Sequence, residues 1–259
     1  MALKQSFCYP CYMTPDLTLD ALFAEARKIG FAATELWFRD EKFDEWCATV
    51  KRNGLAIASM CGHRTLNDGL NNPANHERIE KELHDSIDLA AKLGIPGLIC
   101  FSGNRREGLS DAEGVEITAR GLKRAAPYAE KKGINLNIEL LNSKVDHAGY
   151  QADHTAWGVA VCDLVGSPRV KLLYDIYHMQ IMEGDVIRTI QTYGKKYFGH
   201  YHTAGNPGRN DLDDAQELNY RPIAAAVAAS GHELYLAHEF RPKGDPLAAL
   251  RAAYAACLV

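Results

Sequence analysis

Four residues in the second half of the chain have side chains able to hold a divalent metal ion, and each closes an otherwise apolar run. They are Glu139 in Asn137-Ile138-Glu139, Asp175 in Leu172-Leu173-Tyr174-Asp175, His202 in Gly199-His200-Tyr201-His202, and Glu239 in Tyr235-Leu236-Ala237-His238-Glu239. Carboxylates at the ends of apolar strands need a counter-charge, and no Lys or Arg lies inside these runs. A cation bound by all four meets that need; chance ion pairing is the alternative. Oxygen ligands with one imidazole suit Mg, Mn, Co or a similar ion, and with no cysteine among them a closed structural zinc site is not expected.

The spacing says what must position them. From 139 to 175, 175 to 202 and 202 to 239 are steps of 36, 27 and 37 residues, each about one strand plus one helix. A (β/α)8 barrel spends roughly 250 residues on eight such units and gathers its chemistry where the strands end at the C-terminal face. The pattern predicts an α/β fold, a (β/α)8 TIM barrel, with four consecutive strands aiming polar tips at one centre.

The rest of the chain alternates in the same way. Strands are expected at 6–9, 33–38, 55–61, 97–102, 134–141, 170–175, 197–202 and 233–239. Helices are expected at 17–29, 41–53, 75–93, 111–132, 154–165, 185–193, 220–230 and 246–256. Gly30, Gly54, Gly94, Gly133 and Gly231 each directly follow the last residue of an expected helix, where a left-handed cap belongs. Such alternation implies parallel strands with crossover helices, and no Pro/Ser-rich linker divides the chain, so one domain over 1–259 is expected. Polar stretches at 64–73, 103–110, 142–153 and 203–219 follow strands; the last two adjoin the ligand candidates and are expected to wall or cover a substrate.

Composition bounds the function. The chain has 259 residues, 47% hydrophobic, with a formal charge of -4. That is enough apolar content for a large core and the wrong sign for a nucleic-acid surface. Seven scattered cysteines read as reduced thiols of a cytoplasmic protein, with Cys8-Tyr-Pro-Cys11 as packing rather than a redox or zinc motif. The opening residues lack the form of a secretory signal, and about 18 apolar residues nowhere run together, so no membrane span is expected. Homo-oligomerisation is left open.

Longer segments carry a resemblance. Asn137-Ile-Glu-Leu-Leu-Asn142, Tyr174-Asp-Ile-Tyr-His-Met-Gln-Ile-Met-Glu-Gly-Asp185, Ala204-Gly-Asn-Pro-Gly-Arg-Asn210, Glu217-Leu-Asn-Tyr220 and His238-Glu-Phe-Arg-Pro242 resemble the hydroxypyruvate isomerase family, among the xylose-isomerase-like barrels. The match is dense from about 134 to 245; earlier residues agree only in the rhythm of strands and helices. The resemblance implies a divalent-metal-dependent interconversion of hydroxypyruvate and tartronate semialdehyde through an enediolate. It also implies Glu139, Asp175, His202 and Glu239 as ligands, with Glu139 and Glu239 as the acid–base pair. His178 is similar to a family histidine that touches a substrate oxygen, and Arg209 is the cation best placed for a substrate carboxylate. His63 is either a further substrate contact or a histidine with ordinary hydrogen bonds.

Departures surround the substrate rather than the metal. His202 stands where many relatives have Gln, Gly205 where they have an acidic residue, Phe240-Arg241 where Tyr and Lys are common, and Cys61-Gly-His63-Arg64 where strand three usually ends in a His-Asn type. They keep a second reading open, a ketose 3-epimerase or keto-sugar isomerase acting on a neutral sugar. A third, an AP-endonuclease-like DNA repair protein, needs further His and Asp ligands. Strand four instead ends in Phe101-Ser-Gly-Asn104, and no Asp-x-His follows Arg209. Trp37 and Phe101, at the ends of strands two and four, form either an apolar wall under the substrate or, as aromatic residues there more often do, the top layer of the core, and Glu183 and Asp185 are expected at the start of the helix after Met182.

Overall fold

Alternating apolar runs and helical stretches become nine strands and nine α-helices among residues 3–259, which the computed structural model describes. In chain order these are β1 (Lys4–Phe7), α1 (Leu19–Ile29), β2 (Ala33–Thr34), α2 (Phe43–Arg52), β3 (Ala56–Ile57), β4 (Met60–Cys61), α3 (His76–Leu93), β5 (Gly97–Cys100) and α4 (Asp111–Lys132). Then come β6 (Asn135–Glu139), α5 (Thr155–Val165), β7 (Val170–Asp175), α6 (Ile176–Met182), α7 (Val186–Tyr197), β8 (Phe198–Thr203), α8 (Tyr220–Ala229), β9 (Tyr235–His238) and α9 (Pro246–Ala256). All eight expected strand regions and all eight expected helices are present. The third strand region is split into β3 and β4, and α6 was not expected.

The chain divides into two compact units: one holds residues up to Met60 with Val186–Lys195 and Tyr201–Val259, the other Cys61–Asp185 with Lys196–His200. In the first, β1 runs parallel to β9 with Phe7 opposite His238, and β9 runs parallel to β8 with Thr203 opposite His238. β2 pairs in parallel with β3. The core is aromatic: Phe7 meets Tyr12, Phe23 and Phe31 edge-on with centroids 5.2–6.1 Å apart, the arrangement ring quadrupoles favour.

In the second unit β5, β6 and β7 are parallel neighbours, with Cys100 opposite Ile138 and Glu139 opposite Leu173. α4 begins in a capping box of Ser110 and Glu113 and ends at Gly133, whose φ of 74° is the left-handed cap the sequence predicts. α5 lies so close to the sheet that a Cβ on Gly158 would come 2.7 Å from the end of the Leu172 side chain, which would have to move to admit a larger residue. Glu183 does not start α7 as expected. Its carboxylate accepts from the Thr155 N–H at 2.6 Å and the Thr155 hydroxyl at 2.7 Å, capping α5, whose own N-cap residue His154 makes no side-chain cap. Every residue of β6 is buried, and so is every residue of β8.

Candidate active site

In the first unit His202 and Glu239 lie side by side. His202 belongs to β8, and Glu239 follows β9 with its N–H donating to the Thr203 carbonyl at 3.0 Å. The His202 Nδ1 is 3.2 Å from Glu239 Oε2, while Nε2 is 3.1 Å from Glu35 Oε1, so one imidazole is held between two buried carboxylates. The Trp37 indole N–H donates to Glu239 Oε1 at 2.6 Å, and the Arg209 guanidinium bonds Oε2. Burial pushes the Glu239 carboxyl up, but the guanidinium, the imidazole and the indole N–H together outweigh it and hold the group well below the usual carboxylate range. Glu239 is therefore anionic at neutral pH.

The residue beside it is locked. The Gln5 amide donates to the Tyr254 carbonyl, so its oxygen faces His238 Nε2–H at 2.9 Å, and the Thr203 hydroxyl donates to Nδ1 at 2.7 Å. Burial pushes the His238 imidazole down to about 3, and a neutral ring pins the end of β9. Arg209 sits in a loop where its φ is 55°, and its carbonyl accepts from the Arg241 N–H at 2.8 Å.

In the second unit Glu139 closes β6. Its carbonyl accepts the Tyr150 hydroxyl at 3.0 Å, and that hydroxyl accepts the Ser102 N–H at 3.1 Å. Asp175 closes β7 and caps α6, its Oδ1 accepting from the His178 N–H at 3.1 Å. Carboxylate oxygens of Glu139 and Asp175 lie within 4.8 Å of each other. His178 is fully buried, with Nε2 3.6 Å from Asp175 Oδ2 and Nδ1 2.6 Å from the Asn142 amide nitrogen.

His63 is occupied by backbone. Its Nε2 accepts from the Phe101 N–H at 3.0 Å and its Nδ1 faces the Arg64 carbonyl at 3.2 Å, while burial pushes the ring down to about 4. Trp37 is 41% exposed, so it is not in the core, and its indole N–H serves Glu239, whereas Phe101 is buried against His63 as a core residue. Lys243 pairs with Asp213 at the surface. Sequence reasoning missed Glu35, although Ala33-Thr-Glu35-Leu-Trp-Phe is an apolar run carrying a carboxylate, the same signal that marked the others. All seven cysteines are free, and Cys8 precedes a short 3-10 helix, Tyr9–Cys11. Among the described residues no helix is long and apolar enough to cross a membrane.

A family model, Xylose isomerase-like TIM barrel, matches residues 23–256. The 2-oxo-tetronate isomerase of Cupriavidus necator is 33% identical over 237 residues, 88% of this chain and 89% of that protein. The hydroxypyruvate isomerase of Escherichia coli is 30% identical over 179 residues, 69% of this chain and 68% of its own. A solved L-ribulose 3-epimerase shares the fold, with a TM-score of 0.80 at 20% identity over 98% of this chain and 92% of that one.

Proposed function

Because the chain belongs to the xylose isomerase-like TIM barrel family and is an isomerase, we propose that it shifts a proton between the carbons of an α-hydroxycarbonyl in a small hydroxy-oxo acid. Hydroxypyruvate, with tartronate semialdehyde as product, and a 2-oxo-tetronate are the candidate substrates. Residues 1–259 act as one barrel domain in this reading, and Glu139, Asp175, His202 and Glu239 hold one divalent ion. Their donor chemistry fits: three buried carboxylates and an imidazole form the hard, oxygen-rich set that Mg, Mn or Co accepts. When bound, the ion supplies Lewis-acid stabilisation for the negative charge that builds on the substrate oxygens.

The observation that carries the proposal is the buried Glu239 carboxylate bonded by the Arg209 guanidinium. A deprotonated carboxylate can take a proton from the substrate carbon, and Glu139 is the partner that returns it. A guanidinium has five N–H donors, enough to hold Glu239 and a substrate carboxylate together, which favours an acid over a neutral sugar. His178 contributes a hydrogen bond to a substrate oxygen.

The test is turnover of hydroxypyruvate, tartronate semialdehyde, a 2-oxo-tetronate and neutral ketoses by Mg- or Mn-loaded protein in deuterated water, followed by NMR. Turnover of an acid with solvent deuterium incorporated supports the proposal. His202 in place of glutamine favours the epimerase reading, and exchange confined to C3 of a neutral ketose would establish it instead.

A further inference from the structure

We propose that Asn142 is a positioning residue that fixes His178 in one neutral tautomer, with its proton on Nε2, so that this edge of the ring, which faces Asp175, can donate to a substrate oxygen. Only the substrate oxygen depends on the isomerase reading; the tautomer follows from hydrogen bonds within the second unit.

The Asn142 amide is fully buried. Its Oδ1 faces two backbone donors, the Val145 N–H at 3.0 Å and the Asp146 N–H at 2.9 Å. Neither can accept a hydrogen bond, so the oxygen end of the amide is fixed and the nitrogen end with it. That nitrogen lies 2.6 Å from Asp146 Oδ2 and 2.6 Å from His178 Nδ1. An amide NH2 has two donors and no acceptor, so both neighbours must accept. Nδ1 of His178 therefore bears no proton, and the neutral ring carries its proton on Nε2, 3.6 Å from Asp175 Oδ2.

The same network keeps the competing acid away. Asp146 Oδ2 accepts from the Tyr177 hydroxyl at 2.8 Å as well as from Asn142, and stands 4.0 Å from His178 Nδ1. The rings of His147 and Tyr177 pack edge-on against His178, with centroids 5.2 and 5.1 Å away. Turning Asn142 over would set its NH2 against two N–H groups and lose both backbone bonds. An Nε2–H donor polarises a substrate oxygen and does not collect protons, which leaves proton transfer to the glutamates.

The experiment is a long-range 1H–15N correlation spectrum of the Mg-loaded, [15N]histidine-labelled full chain, with His178 assigned by its loss in His178→Gln. The expected result is an unprotonated Nδ1 and a protonated Nε2. Asn142→Asp alone would set two carboxylates together, so the perturbing variant is the swap Asn142→Asp with Asp146→Asn, which conserves charge. Residue 142 then accepts from Nδ1–H, the two 15N signals exchange character, and kcat falls roughly 10- to 100-fold with KM little changed. A wild-type ring protonated on Nδ1, or a swap that leaves the tautomer as it was, would overturn the proposal. The wild-type spectrum decides even if the swap does not fold. Turnover of none of the acids would remove the isomerase reading while leaving the tautomer intact.

Discussion

Tyr150→Phe removes one oxygen atom and tests how the end of β6 is held. The Tyr150 hydroxyl is fully buried, takes the Ser102 N–H at 3.1 Å and gives its proton to the Glu139 carbonyl at 3.0 Å. Without it, a buried donor and a buried acceptor both lose a partner. Each such loss costs about 1–3 kcal/mol, partly offset because no hydroxyl is desolvated, for a net destabilisation of about 2–4 kcal/mol. At roughly 2 °C per kcal/mol for a chain of this size, Tm should fall by about 4–8 °C. Urea unfolding should show the same loss with an unchanged m-value. Because the freed carbonyl belongs to a proposed acid–base residue, kcat should fall more than KM rises. A variant within about 0.5 kcal/mol of wild type, a range typical of surface changes, would refute the reasoning.

Glu239→Gln and Glu139→Gln should each lower kcat roughly 10²- to 10⁴-fold while the far-ultraviolet circular dichroism is retained, and near-wild-type turnover would remove that residue from the acid–base pair. Glu35→Gln weakens the carboxylate that faces His202 Nε2 at 3.1 Å, and Mn affinity measured by calorimetry should drop about 10- to 100-fold. Stability should also fall with acid. The folded His63 imidazole is depressed from 6.5 to about 4, so below 6.5 the unfolded chain binds a proton that the folded one refuses. The stability it contributes is present in full above pH 6.5 and is lost as the pH falls towards 4, to an order of 3 kcal/mol. Urea midpoints at pH 7 and pH 4.5 should therefore lie closer together in His63→Gln than in wild type.

What the sequence made legible is what periodicity and strand ends carry. The helices from α3 to α5 were placed within a residue or two because a cap residue or terminal glycine marks their ends, as Ser110 and Gly133 do for α4. Pairs inside each unit, His202 with Glu239 and Glu139 with Asp175, follow from the same strand-end logic. α6 escaped because it begins one residue after the strand, capped by the very aspartate taken as a ligand, so no loop separates the two patterns. The roles of Trp37, Asn142 and Glu183 depend on partners 202, 36 and 28 residues away, which no local pattern encodes. His63 was left open for the same reason, since its partner is a backbone N–H 38 residues distant.

The left-handed backbone at Arg209 sets two evolutionary pressures against each other at one codon. Glycine takes a φ of 55° without cost, whereas an arginine gives up roughly 1 kcal/mol there. Relaxing the loop and keeping the cation are therefore incompatible at this position. Glycine here would also take the guanidinium from the buried Glu239 carboxylate, at a cost of about 3 kcal/mol that exceeds the relieved strain, so libraries selected for heat survival and for turnover should both keep Arg209. The strained backbone is thus held in place by the ion pair it carries.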